Sequence, residues 1–467
     1  MRYHTLYRSF LQIFCTFLFS LIATPLLVTP PTAHAATRDP LQWPFASDSI
    51  WNMPIGSNAR YVDATIGSRG FGTDIDWFVT TSESDPLVPT YMPGAWGQGR
   101  CSGTTPQQQA QWHPEAAQPL HVPTDLIIPD AITSGGIYST PNSSSAFLEP
   151  DGKTLVNFTV TARCQARAPL YGTWFGQSDL YGDGIRGGHG ASAMSSIGGS
   201  IRTGELFGDQ PIHHALKVDI WGNWLYYDTT NGGHRWPAVL ADAGAPQQYK
   251  GSNPALVMGS LLALPPDATP ESLGITSAIG IKLFHALQDY GAYIVDDTGR
   301  DVNALCIEHN ADVEFQNVTG HSLDQDQGVG SDFGKMMGAV KVIDNNSSTS
   351  IGGGGTPRAP LAPAFGVPIL PTAQPTATPT PVPATPTPTM TTRAEGISIA
   401  RGSSQGVTTD GTRSSTVPTT TTSGAIRQQQ TTTGGIPWQL LGIPVALLLL
   451  GGGWLALARL RRRSTPT

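Results

Sequence analysis

Thr154-Leu155-Val156-Asn157-Phe158-Thr159-Val160 is the stretch whose reading decides the fold. Its Thr, Val and Phe residues suit a pleated surface, and the run is too short for a packed helix. Asp151-Gly152 stands just before it, a dipeptide that favours the tight turn between two strands. The same grammar recurs further out. His214-Ala215-Leu216-Lys217-Val218-Asp219-Ile220 alternates, Ala292-Tyr293-Ile294-Val295 is a short apolar run, and Asp183-Gly184, Asn231-Gly232 and Thr298-Gly299 mark further turns. One segment keeps a helical period: over 277–290, Ile279, Leu283, Ala286, Leu287 and Tyr290 form one stripe, and Gly291 is a natural stop. Many short strands with one packed helix predict a mainly β domain, a β-sandwich or closed β-structure. No repeat of fixed period is visible, which argues against a propeller.

The two ends place this domain in a larger plan. Arg2 and Arg8 precede an apolar run over 10–28, and Ala33-His34-Ala35 is the small-x-small pattern of a signal cleavage site, so 1–35 is expected to be a signal peptide. The extracellular β-rich domain is expected over 36–350. Residues 351–435 alternate Pro with Thr and Ala and then turn to Ser, Thr, Gln and Gly, a composition that cannot bury a core and predicts an extended stalk. Residues 436–458 are apolar and long enough to cross a bilayer, with Trp438 and Trp454 near the edges. Arg459, Arg461, Arg462 and Arg463 follow, so 459–467 is expected to be a cytoplasmic tail. The expected localisation is a single-pass cell-surface protein with membrane contact through that helix. Between Ala36 and Ser350 there are 16 Lys and Arg against 32 Asp and Glu, a balance that argues against nucleic acid as a partner.

Three cysteines remain after signal removal. In an exported protein Cys101 with Cys164 is the favoured disulfide, leaving Cys306 in an apolar strand as a buried thiol. No GxSxG elbow, P-loop, HExxH or dinucleotide fingerprint is present, and no cofactor is expected. Polar chemistry is densest between Gly187 and Asp242. His189 lies among glycines, Arg202 and Glu205 are three apart, and His213-His214 precede the alternating strand. Arg202 can hold a carboxylate through its two-pronged fork, and a histidine titrating near neutrality can act as base or acid. Neighbours on a strand face opposite ways, so only one of His213 and His214 can enter a shared site. Tyr227 completes the candidate set of His189, Arg202, Glu205, His213, His214 and Tyr227. The plainer alternatives are a core histidine at 214 and a structural ion pair between Arg202 and Glu205. A metal held by His189, His213, His234 and Asp219 is chemically conceivable, but no spacing supports it.

Five blocks carry a resemblance: WPFASDSIWNMPI at 43–55, GGSIRTGEL at 198–206, IHHALK at 212–217, RWPA at 235–238 and ALQDYGAYIVDD at 286–297. In this order they resemble a set of exported bacterial proteins without a settled activity, which implies that the blocks belong to one domain. IRTGEL followed by IHH is also similar to strands of β-sandwich alginate lyases, where His and Tyr act as base and acid and Arg or Gln neutralises a uronate carboxylate. That likeness implies lyase chemistry, although Gly204 displaces Glu205 and no matching Tyr-rich strand follows. The expected function is a surface ectodomain that binds or processes an extracellular polysaccharide or cell-wall glycan, as lyase or hydrolase. The alternative is a non-catalytic adhesion or envelope module, in which Trp221, Trp224, Tyr226, Tyr227 and Trp236 stack on sugars without chemistry.

Overall fold

The computed structural model describes residues 37–67, 70–103, 113–134 and 137–366. The expected signal peptide, the stalk beyond residue 366, the membrane helix and the basic tail lie outside the described residues. Among those described, no helix is long and apolar enough to cross a membrane.

The strands in chain order begin with β1 (Tyr61–Asp63), β2 (Gly70–Thr80), β3 (Leu87–Val88), β4 (Thr90–Tyr91) and β5 (Leu120–His121). Next come β6 (Ile132–Ser134), β7 (Ile137–Ser139), β8 (Ser145–Leu148), β9 (Thr154–Ala162), β10 (Leu170–Asp179) and β11 (Arg186–His189). The chain finishes with β12 (Leu216–Ile220), β13 (Leu261–Ala263), β14 (Ala292–Asp297), β15 (Val302–Glu308) and β16 (Lys341–Ile343). Eleven of them form one mixed sheet in the order β1-β16-β13-β14-β12-β15-β2-β8-β9-β10-β4. The domain is mainly β, as the alternating runs imply, and β9 covers the diagnostic stretch.

Strand β2 is the hinge of this sheet. Its first part, Gly70 to Asp76, runs parallel to β15, and its second part, Trp77 to Thr80, runs parallel to β8. The core divides at the same place: a large cluster surrounds β12 to β15, a smaller one lies under β8 to β10, and Ile75 packs against both.

Three longer helices cover one face. They are α1 (Ala278–Asp289), α2 (His309–Thr319) and α3 (Gln327–Ala339). The segment predicted over 277–290 is α1, capped by Ser277, whose Oγ accepts from Gly280 N at 2.9 Å. Helices α2 and α3 correct the expectation of a single packed helix. Both carry weak helix formers, α3 no fewer than four glycines, so their stability rests on packing against β2 rather than on propensity. Phe333 of α3 meets Phe71 at 5.3 Å between ring centroids, and His309 of α2 stacks on Trp77 at 4.0 Å.

The opposite face is covered by residues 186–202. Strand β11 runs so close to β9 that a Cβ on Gly188 would lie 2.4 Å from the Phe158 carbonyl oxygen. Gly190 takes φ +30°, and a Cβ there would lie 1.6 Å from Asp296 Oδ2. The glycines flanking His189 let this segment lie down on the sheet and press the imidazole into it.

Residues 351–366, read from composition as the start of the stalk, belong to the domain. Arg358 N donates to Ile55 O at 2.9 Å, Gly56 and Pro357 bridge, and Ala362 is buried. Arg38 Nη1 donates to Pro363 O at 3.0 Å, and its guanidinium lies over Phe365. The left-handed turns of Gly352 to Gly355 fold the chain back, which composition alone does not reveal. Cys101 and Cys164 form the disulfide, and Cys306 is a buried free thiol.

Candidate functional site

Of the six residues singled out by sequence, three come together. Glu205 sits in the turn after Arg202, and its carboxylate accepts from Arg202 N at 2.7 Å and faces His214 Nε2 at 3.0 Å. Lys282 on α1 fixes that turn by donating to the carbonyls of Glu205 at 2.8 Å and Gln210 at 2.9 Å. Arg202 does not pair its guanidinium with Glu205. It bonds Glu308 at 3.2 Å and the Ile197 carbonyl at 2.8 Å. Burial alone would raise the Glu205 pKa, but the neighbouring His214 and Arg202 hold it below the ordinary carboxylate range. The space beside Arg202 and His214 is about 10 Å³, room for a single water. No substrate fits there. The trio is a largely buried network in which Glu205 links Arg202 N to His214, not the Arg202–Glu205 ion pair of the plainer reading.

The other three residues stand elsewhere. His213 stacks on Trp43 at 5.3 Å between centroids and makes no hydrogen bond to Glu205 among those of the described residues. Tyr227 packs beside Gly233 against the main core and does not line the space near Arg202. His189 is fully buried among acids: its Nε2 lies 3.6 Å from Asp74 Oδ2, 3.4 Å from Asp76 Oδ1 and 3.7 Å from Cys306 Sγ. Lys217 Nζ pairs with Asp76 Oδ2 at 2.9 Å, and Ser200 Oγ donates to the same oxygen at 2.7 Å. Asn142 Nδ2 bridges Asp74 at 3.0 Å and Asp296 at 2.6 Å. Burial and the neighbouring carboxylates push Asp219 and Asp296 well above the ordinary range, and burial raises Asp74. His213 and His234 take no part in this cluster.

An open site lies on the other half of the sheet. A groove of about 420 Å³ runs over β9 and β10, with Trp174 and Gln177 on one strand, Thr154 and Val156 on the next, and Glu83, Glu115, His121, Glu149 and Asp151 around it. Glu149 leaves β8 just before the Asp151 turn, and its backbone N–H is held by Thr154 O at 2.8 Å. Asp151 is occupied with that turn, accepting from the N–H groups of Lys153 and Thr154, both at 2.8 Å. Glu149 Oε1 is buried and accepts no hydrogen bond from the described residues. Burial raises its pKa, with His121 opposing and Asp151 adding to the rise. Trp174 is half-buried and packs its ring against His113 at 4.8 Å between centroids. A carboxyl whose acid form is favoured by burial, in a groove that also holds an indole face, can donate a proton to a bound oxygen.

No protein-family model, curated protein or solved structure matches this chain. Its chemistry therefore has to be argued from the residues. Sequence reasoning missed the groove because its side chains come from 83–177 and converge only when β8, β9 and β10 pair. The available signal was Glu149-Pro150-Asp151 at the turn before the diagnostic strand. Asp74 and Asp76 had a signal too, since acids two apart in a strand share one face.

Proposed function

We propose that the domain takes an extracellular carbohydrate into the groove over β9 and β10, and that Glu149 donates the proton when the chain is cleaved. The observation that carries this reading is the Glu149 carboxyl: a pKa raised by burial, one buried oxygen without a hydrogen-bond partner among the described residues, and an aromatic face in the same groove. Trp174 offers the apolar platform for a sugar ring, and Gln177, Glu115 and His121 offer hydrogen bonds to hydroxyls. Glu83 and Glu115 line the same groove and offer a second carboxylate of the kind that glycoside cleavage requires as base or nucleophile. The acidic surface favours neutral over anionic glycans, so a hydrolase fits better than an alginate-type lyase.

The test is a glycan panel with a reducing-end assay on the wild type, Glu149→Gln and Trp174→Ala. Wild type is expected to bind and slowly cleave a neutral polysaccharide. Glu149→Gln should keep affinity and lose turnover by about 10²–10⁴-fold. Trp174→Ala should weaken binding by roughly tenfold, about 1.4 kcal/mol. A wild type that binds no glycan overturns the reading. Binding without cleavage removes the proton-donor role and leaves the adhesion module.

A further inference from the structure

The buried acid cluster around His189 gathers more carboxyl groups than cations. Asp74, Asp76, Asp219 and Asp296 are all buried; Lys217 pairs with Asp76, and the buried Arg100 guanidinium acts on Asp74. Four ionised carboxylates would outnumber the cations facing them even with His189 charged, and uncompensated charge in a protein interior is costly, so protons or a bound cation must make up the balance. The hydrogen bonding is also incomplete. Asp76 Oδ1 is 3.4 Å from His189 Nε2, yet takes no hydrogen bond from the described residues, and its side chain is only 1% exposed. His189 Nδ1 likewise finds no partner among them.

The donor atoms are already gathered. One ligand atom from each of Asp76, His189 and Cys306 lies within 4.8 Å of the others, and the same holds for Asp74, His189 and Asp219. The two sets share His189. They come from β2, β11, β12 and β15, strands that the sheet register brings side by side: Cys306 is the partner of Asp74, and Asp219 is the partner of Ala304. Imidazole nitrogen, carboxylate oxygens and a thiol sulfur together suit a borderline divalent ion such as Zn²⁺, whereas Ca²⁺ and Mg²⁺ prefer all-oxygen shells.

We propose that the chain binds one divalent transition-metal ion between Asp74, Asp76, His189 and Asp219, with Cys306 beside it. Asp76 contributes the oxygen that Lys217 and Ser200 leave free. The ion offsets the excess carboxylate charge and ties β11 to the sheet beneath it. Its role is structural, because the cluster is sealed from solvent and from the groove that faces the carbohydrate. Neither the groove nor Glu149 enters this inference, so the failure of one leaves the other standing.

The experiment is elemental analysis of the full-length chain, purified without a histidine tag and dialysed against EDTA at neutral pH. One equivalent of a transition metal should remain, and be released when the protein is unfolded with chelator present. Refolding with Zn²⁺ at a thousandfold excess over Kd should raise the melting midpoint by roughly 8 °C over refolding in EDTA. His189→Gln and Asp219→Asn should each lose the retained metal. If either variant fails to fold, the wild-type stoichiometry and midpoint shift decide alone. A wild type that holds no metal and gains nothing from Zn²⁺, Mn²⁺ or Co²⁺ overturns the proposal and leaves protons as the compensating charge. Unchanged metal content in both variants overturns it too, as adventitious surface binding.

Discussion

Arg202 is held by Glu308 and by the Ile197 carbonyl, with 3% of its side chain exposed. Truncating it leaves Glu308 inside the protein without its cation. Arg202→Ala should therefore destabilise the domain by about 3–5 kcal/mol, read from the urea midpoint, with no change at the distant groove. A variant with an unchanged midpoint would mean that the network is solvated. Glu205 adds a pH dependence. Its folded pKa lies below the unfolded value, so its contribution is present above about pH 4.5 and is lost as pH falls through the folded pKa. His214, Arg202, His213 and Glu308 are the charged and titratable groups that act on it. Glu205→Gln should flatten the stability–pH curve on the acid side of pH 4.5, measured as denaturation midpoint against pH. In the groove the sign is opposite. Glu149 has a raised pKa, so its acid form is lost as pH rises through that value, and turnover should carry an alkaline limb. Removing the nearby charge with Asp151→Asn should move that limb to lower pH, although His121 continues to favour the carboxylate. A limb that stays in place would assign it to another group.

At the scale of elements, β9 and α1 were legible because each carries one clear period over its whole length. Helices α2 and α3 were not. Phe315 and Ala311 lie one turn apart on α2, but Asn310, Asp312, Gln316 and Asn317 dilute the pattern, and the glycines of α3 read as a loop. What makes them helices is the apolar face of β2, which is long-range information. The trio Arg202, Glu205 and His214 was readable because a turn and a following strand bring it together locally. His189 was marked as a candidate and grouped with Asp219, which the structure places near it, but Asp74 and Asp76, over a hundred residues away in the chain, were not legible as its neighbours. Strand β11 itself depends on the missing side chain at Gly188. Gly188→Ala forces a methyl against the Phe158 carbonyl, and overpacking of this kind costs about 1–3 kcal/mol. The melting midpoint should fall accordingly. An unchanged midpoint would show that β11 can lift from β9.

For the whole molecule, two covalently distant segments are fastened across the fold. The Cys101–Cys164 disulfide joins positions 63 residues apart on the half that carries the groove. In the chain-entropy account its loss costs about 4 kcal/mol for a loop of this length. The second fastening is the strap of residues 351–366, which composition assigned to the stalk. It runs along residues 54–59 and reaches Arg38 at the opposite end of the described chain, so it holds both ends of the domain at once. Arg38 is 3% exposed and spends its guanidinium on the carbonyls of Trp43, Pro44 and Pro363. Without the strap it would lose one of these acceptors and the Phe365 ring beneath it. Ile55 O would lose the Arg358 N–H, and the side chain of Tyr290 would lose Pro360 O as an acceptor. Each lost hydrogen bond costs on the order of 1 kcal/mol, and buried apolar contact is lost with them. A chain cut after Ser350 should therefore melt several degrees below one cut after Gly366, by calorimetry of the two fragments under the same conditions. Equal midpoints would return residues 351–366 to the stalk.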